Sequence, residues 1–364
     1  MKRTFDDVFE DVTRMGTKIK TDEYHQSGKY QIIDQGQEDI AGYTDLENGV
    51  FENVPAIVFG DHTRIIKYVD KPFFLGADGV KVLRSRFTDA NYRYLYYALK
   101  NLRIPNTGYN RHFKWLKESQ INYPSAKKQY EAVSILDSVS SIIEYRQQQL
   151  QKLNDLVKAR FVEMFGDYLK DDRRPLSEVA IITGGLTKNS NRNTFETKMP
   201  YLRVANVFYN RLDLCEILEI GVKEEEIEKT LLQAGDLLFV EGNGSIEQIG
   251  RVAIWDGSID PILHQNHLIK ARFNNEIIAP EYALFYFMLQ DGRQQIISKS
   301  VSTSGLNTLS VNKVSSLLLP IPPIALQKQF GEFVKQTDKS KLAILEALAE
   351  LETLKSSLMQ KFFG

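Results

Sequence analysis

Displaced by 198 positions, this chain of 364 residues falls on itself. Leu153-Asn154-Asp155-Leu156 lies on Leu351-Glu352-Thr353-Leu354, and Phe165-Gly166 on Phe363-Gly364. Further upstream, at the same displacement, Pro124 falls on Pro322 and Gln129 on Gln327. A repeat of this length constrains the fold more than composition can, because each copy must be a unit that folds in the same way. Looser matches precede the helical tracts. Val12 with Gly16 resembles Val179 with Gly184, residues 30–35 resemble 201–206, 91–100 resemble 281–290, and 106–110 resemble 303–307. The order is globular domain, long helix, globular domain, long helix. The boundaries read as 1–124 for the first domain, 125–166 for the first spacer helix and 167–174 for a charged linker. A second domain at 175–321 and a second spacer helix at 322–364 follow.

The helices show in their periodicity. Leu136, Val139, Ile143, Leu150, Leu153, Val157 and Met164 recur at steps of three and four, the coiled-coil spacing, interrupted by Arg146 and Arg160. In the second tract Phe330, Phe333, Val334 and Thr337 lead to Ile344, Leu348, Leu351, Leu358 and Phe362. Pro322 and Pro323 suit a helix start and forbid extension upstream. A helix of about 40 residues spans roughly 60 Å, more than one small domain needs for its own core. The expectation is an antiparallel coiled coil. In it Leu136, Val139, Ile143, Leu150 and Leu153 face Ile344, Leu348, Leu351 and Leu358. The globular parts read as α+β, with strand character at 54–59, 79–83, 236–240 and 251–255 and glycine-rich turns between.

Several function classes are excluded. Lys plus Arg number 46 against 47 Asp plus Glu, so the chain is not basic throughout, although a local basic face is compatible with that balance. The single cysteine, Cys215, allows no internal disulfide and has no base beside it. His264 and His267 lack the further ligands of a metal site. No G-x-x-x-x-G-K-[ST] occurs, and Gly242-Asn243-Gly244 has no third glycine opening a helix. Leu319-Pro320-Ile321-Pro322-Pro323 lacks the Asn or Asp and the aromatic of an amino-methyltransferase loop. No catalytic or metal-binding residue and no bound cofactor are therefore expected. No apolar run reaches the ~18 residues of a membrane span, and the first residues turn acidic where a signal peptide needs an apolar core. A soluble, cytoplasmic protein is expected.

Charge is unevenly placed. Between Thr183 and Arg211 the positives are Lys188, Arg192, Lys198, Arg203 and Arg211 against Glu196, and the balance then reverses around Glu224-Glu225-Glu226. In the first half Lys100, Arg103, Arg111, Lys114, Lys117, Lys127 and Lys128 stand against Glu118, interleaved with Tyr109, Phe113 and Trp115. Lys and Arg neutralise phosphates, and Arg, Asn and Gln can fork onto base edges. Such loops in both halves favour a double DNA-binding module. The candidate DNA-facing residues of the first half are Gln35, Arg64, Thr107, Gly108, Asn110, Arg111 and Lys114. Those of the second are Thr187, Lys188, Arg203, Asn206, Asn243, Ser245, Thr303, Ser304, Gly305 and Asn307. For Asn206 a plain turn cap is the rival reading, and which residues touch bases rather than phosphates stays open. A protein-binding adaptor with two similar domains held apart by a coiled coil is the alternative.

At this point the chain resembles the specificity subunit of type I restriction-modification systems. The resemblance lies in Leu176-Ser177-Glu178-Val179 with Thr183-Gly184-Gly185, in residues 200–207, and in Gly235-Asp236-Leu237-Leu238. Residues 249–253, Gln265-Asn266, 319–323 with Gln327 and residues 354–358 continue it. Residues 59–64 and 76–80 look like their first-half counterparts. Two features depart from the family: Leu326 stands where Glu usually precedes Gln327, and only Pro124 matches the double proline. The resemblance implies two target-recognition domains that read a bipartite double-stranded DNA target. It implies no catalysis in this chain, two methyltransferase subunits and restriction-translocation subunits as partners, and S-adenosylmethionine and ATP bound by those partners.

Overall fold

The computed structural model describes residues 1–76, 78–108, 110–170, 173–303 and 306–364, without the side chains of Asn243, Gln290, 301–303 and Leu306. The chain divides into two compact units, Met1–Gln148 with Leu345–Gly364, and Gln149–Ile344. Each is α+β.

In the first unit a four-stranded antiparallel sheet runs in the order Phe9–Asp11, Val80–Ser85, Ala56–Gly60, Ile66–Val69. Its inner strand is apolar on both faces because both are covered. Ile57 and Phe59 join one core cluster, and Ala56 and Val58 join the other. A three-stranded sheet, Gly42–Thr44, Tyr30–Ile33, Phe73–Leu75, pairs its last two strands in parallel. Lys2–Thr4 pairs with Gln120–Asn122, and the helix Tyr92–Lys100 is capped by Asn91, whose side chain accepts from the Tyr94 amide at 3.0 Å.

The second unit repeats this plan. Its four-stranded sheet is Ala180–Gly184, Leu268–Phe273, Leu237–Val240, Val252–Ile254. Leu237 and Phe239 again face one cluster, Leu238 and Val240 the other. The three-stranded sheet is Leu218–Gly221, Lys198–Leu202, Leu263–His264, with the same parallel pair. Among the described residues it adds, within its sheets, the hairpin Val207–Phe208 with Arg211–Leu212 and a sheet in the order Gly242–Asn243, Leu306–Thr308, Val301–Thr303.

Three sequence expectations change. The stretch 167–174 is not wholly a linker, because Arg173–Pro175 pairs antiparallel with Leu318–Pro320, as Lys2–Thr4 does with its partner. The matches of 30–35 and 91–100 are out of register. Lys18 bridges Leu75 as Leu186 bridges Gln265, so Gln31, opposite Phe73, corresponds to Tyr201, opposite Leu263. Tyr94 donates its hydroxyl to Asn122 O at 3.0 Å and Tyr282 to Pro320 O at 3.1 Å, so Tyr94, not Tyr92, is the counterpart of Tyr282. Side-chain similarity in an aromatic run says little about which residue fills a given pocket, whereas ladder register decides it.

The long helices run from Ala126 to Phe165 and from Ile324 to Phe363, 40 residues each. Each unit is closed by segments of both. In the first, Phe363 lies 5.0 Å from Tyr94 and the Asn122 side chain donates to Phe362 O at 3.0 Å. In the second, Phe161 and Phe165 pack on Tyr282 and Phe330. Leu136, Val139 and Ile143 are buried, and Leu150, Leu153, Ile344, Leu348, Leu351 and Leu358 half-buried. Gln129 and Gln327 hold equivalent turns, donating to Pro124 O at 3.0 Å and Pro322 O at 2.8 Å. Gln327 also donates to Ile277 O and accepts from the Ala279 amide. Leu326, beside Gln327, packs against the apolar core there.

Candidate nucleic-acid interface

In the first unit the loops at the ends of the sheets are tied to one another. Gln35 donates to Asp78 O at 3.0 Å and accepts from the His62 amide at 3.2 Å, while Thr63 Oγ1 donates to Gln35 O at 2.7 Å. Asp61 receives the amides of His112 and Phe113 at 2.7 and 2.8 Å, bringing residues 106–112 against the same turn. Arg64 closes that turn in the left-handed region, φ 64°, and donates to Ile104 O at 3.3 Å. Thr107, Gly108, Asn110, Arg111 and Lys114 are exposed on this platform. Lys114 stacks on Trp115 at 4.7 Å and Lys100 on Tyr96 at 5.0 Å. Among the described residues no carboxylate lies within ion-pair distance of Lys100, Arg103, Arg111 or Lys114. A cleft of about 460 Å³ beside the turn is lined by Thr63, Arg64, Lys67, Tyr96 and Lys100.

The second unit treats its charges differently. Arg192, buried, forks onto Glu226 at 2.9 and 3.0 Å, and this hydrogen-bonded partner holds the Glu226 carboxyl below its usual range. Arg203 pairs with Glu216 at 2.7 Å. The basic and acidic stretches, adjacent in sequence, thus partly neutralise one another in space. Asn206 is 3% exposed: its oxygen accepts from the Arg203 amide at 2.9 Å and its nitrogen donates to Asp213 O and Glu216 O at 2.8 and 3.1 Å. It holds a turn. Thr187 and Lys188 are exposed, and the Thr187 carbonyl accepts from Arg192 Nε.

Asn243 and Asn307 are directly opposite on paired strands, and Asn307 donates to Gly244 O at 3.4 Å beside exposed Ser245. Thr303 lies on the third strand of that sheet, opposite Leu306. Ser304 and Gly305 lie outside the described residues. Sequence reasoning counted Arg211 in a basic stretch but missed the other neighbours of this loop and their convergence on it. Arg211 stacks on Phe208 at 4.5 Å, Arg251 lies over the same ring at 5.2 Å, and Arg293 over Tyr209 at 5.6 Å. Arg293 donates to Ile246 O and Glu247 O at 2.9 and 2.8 Å, fixing the loop that carries Ser245. The signal that could have found them is Phe208-Tyr209-Asn210-Arg211, an aromatic pair in a turn ending on arginine.

His264 ends the strand parallel to Lys198–Leu202 and is wholly buried, its Nδ1 2.8 Å from Thr230 O. Burial, opposed in part by that contact, pulls the imidazole from 6.5 down to about 4. Between those values the unfolded chain binds the proton and the folded one does not, so stability is complete above pH 6.5 and lost as pH falls toward 4. Urea unfolding, followed by Trp255 in a Trp115→Phe background, should lose about 2 kcal/mol between pH 7 and 5 through this group. His264→Asn should remove that part of the slope; an unchanged slope would exonerate the histidine.

Among the described residues no group of three or more His, Cys, Asp or Glu could hold a metal ion, and no helix is long and apolar enough to cross a membrane. A family model, type I restriction modification DNA specificity domain, matches residues 1–155 and 172–354. The putative type I restriction enzyme MjaX specificity subunit of Methanocaldococcus jannaschii is 29% identical over 218 residues, 59% of this chain and 50% of that one. The match therefore spans about half of that relative's length. The type I restriction enzyme EcoR124I/EcoR124II specificity subunit of Escherichia coli is 23% identical over 357 residues, covering 91% of this chain and 84% of its own. The crystal structure of a type-I restriction-modification system S subunit from M. genitalium shares the fold, with TM-score 0.59 and 18% identity over 100% of this chain and 96% of that one.

Proposed function

The chain belongs to the type I restriction modification DNA specificity family, and from that we propose that it reads a bipartite double-stranded DNA target, one domain per half-site. The observation that carries this reading is the repeated sheet plan, each copy bearing a loop platform with exposed polar and basic groups. The first platform offers Thr107, Gly108, Asn110, Arg111 and Lys114, with Gln35 and Arg64 holding it. The second offers Ser245 and Asn307 in one loop cluster and Thr187 and Lys188 on another exposed stretch, with Arg203 and Asn206 at a turn; Asn243, Thr303, Ser304 and Gly305 join the reading from the sequence alone. Because the loops differ in length and in charge pairing, the two half-sites should differ in sequence.

The long helices act as the ruler, packed as an antiparallel coiled coil through Leu136, Val139, Ile143, Leu150 and Leu153 against Ile344, Leu348, Leu351 and Leu358. None of these nine is exposed, which supports a seam. Tyr130, Ile142, Tyr145 and Leu156 on one helix, and Leu342, Leu345 and Leu354 on the other, are exposed apolar residues available to two methyltransferase subunits. Methylation and cleavage then reside in the methyltransferase and restriction subunits, which bind S-adenosylmethionine and ATP in the cytoplasm. This chain would bind neither.

Inserting one heptad into each long helix tests the ruler. Seven residues add about 10 Å of helix, or about 3 base pairs at ~3.4 Å per step. Methylome sequencing of a host carrying the variant should show both half-sites unchanged and the gap longer by that amount. An unaltered gap in an active assembly rules out the ruler. Absence of any sequence preference in the wild-type assembly would favour the adaptor.

A further inference from the structure

Two sets of arginines in the second unit differ in their partners. Arg173, Arg192, Arg203 and Arg272 each meet a carboxylate, Asp291, Glu226, Glu216 and Asp236, at 3.1, 2.9, 2.7 and 2.7 Å. Arg211, Arg251 and Arg293, gathered around Phe208 and Tyr209, have no carboxylate within ion-pair distance among the described residues. Arg251 is 9% exposed, its Nε buried without a hydrogen-bond partner and its two other nitrogens 3.3 Å from the neutral acceptors Gln248 Oε1 and Val204 O. Among the described residues the hydrogen bonds of Arg293 likewise go to neutral acceptors, the backbone carbonyls of Ile246, Glu247 and Ile249. Burial without a counter-charge pushes both guanidinium pKa values down. Asp213 feels the field of Arg211, but its Oδ1 accepts from the Cys215 amide at 3.1 Å.

Concentrating positive charge in this way costs stability unless an anion completes it. Arg211 is the exposed member. It begins the second strand of the hairpin, directly after Asn210, whose φ of 47° makes the tight turn, and its guanidinium lies over Phe208 at 4.5 Å, which limits the side-chain freedom left to be lost on binding. The loop fixed by Arg293 carries Ser245 next to Asn243 and Asn307. The anion site therefore adjoins the platform assigned to the second half-site.

We propose that Arg211, stacked on Phe208 and backed by Arg251 and Arg293, binds a backbone phosphate of the DNA half-site read by the second unit. This rests on the DNA-reading function above. A phosphate contact acts on every sequence alike and releases about 0.9 counterion per charge. A base contact changes preference at one position.

The test uses the chain assembled with its methyltransferase partner, bound to a duplex carrying the methylated target and to a scrambled duplex, by fluorescence anisotropy from low to high salt. Arg211→Gln should weaken both complexes about fivefold at ~0.15 M salt and reduce the slope of log affinity against log salt by about 0.9. Arg211→Lys should keep the slope. A wild-type slope in Arg211→Gln overturns the proposal while leaving the DNA-reading function standing. A loss confined to one base pair of the target also overturns it, in favour of base reading. Failure of the wild-type assembly to prefer its target removes the function itself, and this site with it. Circular dichroism of Arg211→Gln identical to wild type shows that the loss does not come from unfolding.

Discussion

Phe165→Ala should destabilise the second unit by about 3–5 kcal/mol, the range for deleting a fully buried aromatic whose cavity cannot collapse. Phe165 is wholly buried among Phe161, Tyr282 and Phe330, with ring centroids at 4.9, 4.7 and 5.6 Å. These rings come from two long helices and a short one, so no single backbone movement fills the gap. Its repeat counterpart, Phe363, touches Tyr94 at 5.0 Å but is only half-buried, and Phe363→Ala should cost the first unit about 1–2 kcal/mol. Urea unfolding with Trp255 and Trp115 as separate reporters distinguishes them. Equal losses at both positions would show that the repeat, rather than local burial, decides the energetics.

Asp236→Ala should cost about 3 kcal/mol by the same measurement. Asp236 is 1% exposed, accepts from Arg272 Nε and Nη2 at 2.8 and 2.7 Å and from the Gln233 amide at 2.8 Å. Removing it strands Arg272 beside Lys270, whose ammonium burial has already pushed down to about 8. Breaking a buried pair commonly costs about 3–5 kcal/mol; the 28% exposure of Arg272 lets water reach it and puts this case at the low end. Arg272→Met added to Asp236→Ala should recover part of the loss, because the orphaned charge is gone. A double variant less stable than Asp236→Ala would contradict that account. The motif Gly235-Asp236-Leu237-Leu238 is then a folding device: Gly235 turns at φ 94°, Asp236 anchors Arg272, and the leucines enter opposite cores.

The α+β class, the doubled organisation and the long helices were legible because they rest on periodicity, which the chain carries in its own order. The strand Ala56–Gly60 and its counterpart Leu237–Val240 show as short apolar runs for the same reason. Register was not legible. Tyr30 and Tyr92 look like matches for Tyr201 and Tyr282, yet ladders and hydroxyl contacts select Gln31 and Tyr94. A slip of one residue in a strand reverses every side chain, and nothing in a tyrosine says which face it takes.

Residue order by itself determined that two similar α+β domains alternate with two long amphipathic helices, since burial of a periodic apolar face is a local demand that any fold must meet. Only the tertiary structure decided which charges stay available. Arg192 and Arg203 sit in a stretch that reads as basic, but Glu226 and Glu216 fold back to neutralise them. Arg211, Arg251 and Arg293, scattered over the sequence, converge on two aromatic rings with no carboxylate at ion-pair distance among the described residues. The physical reason is range: a Coulomb interaction depends on distance in space and on desolvation, neither of which the linear order of charges contains.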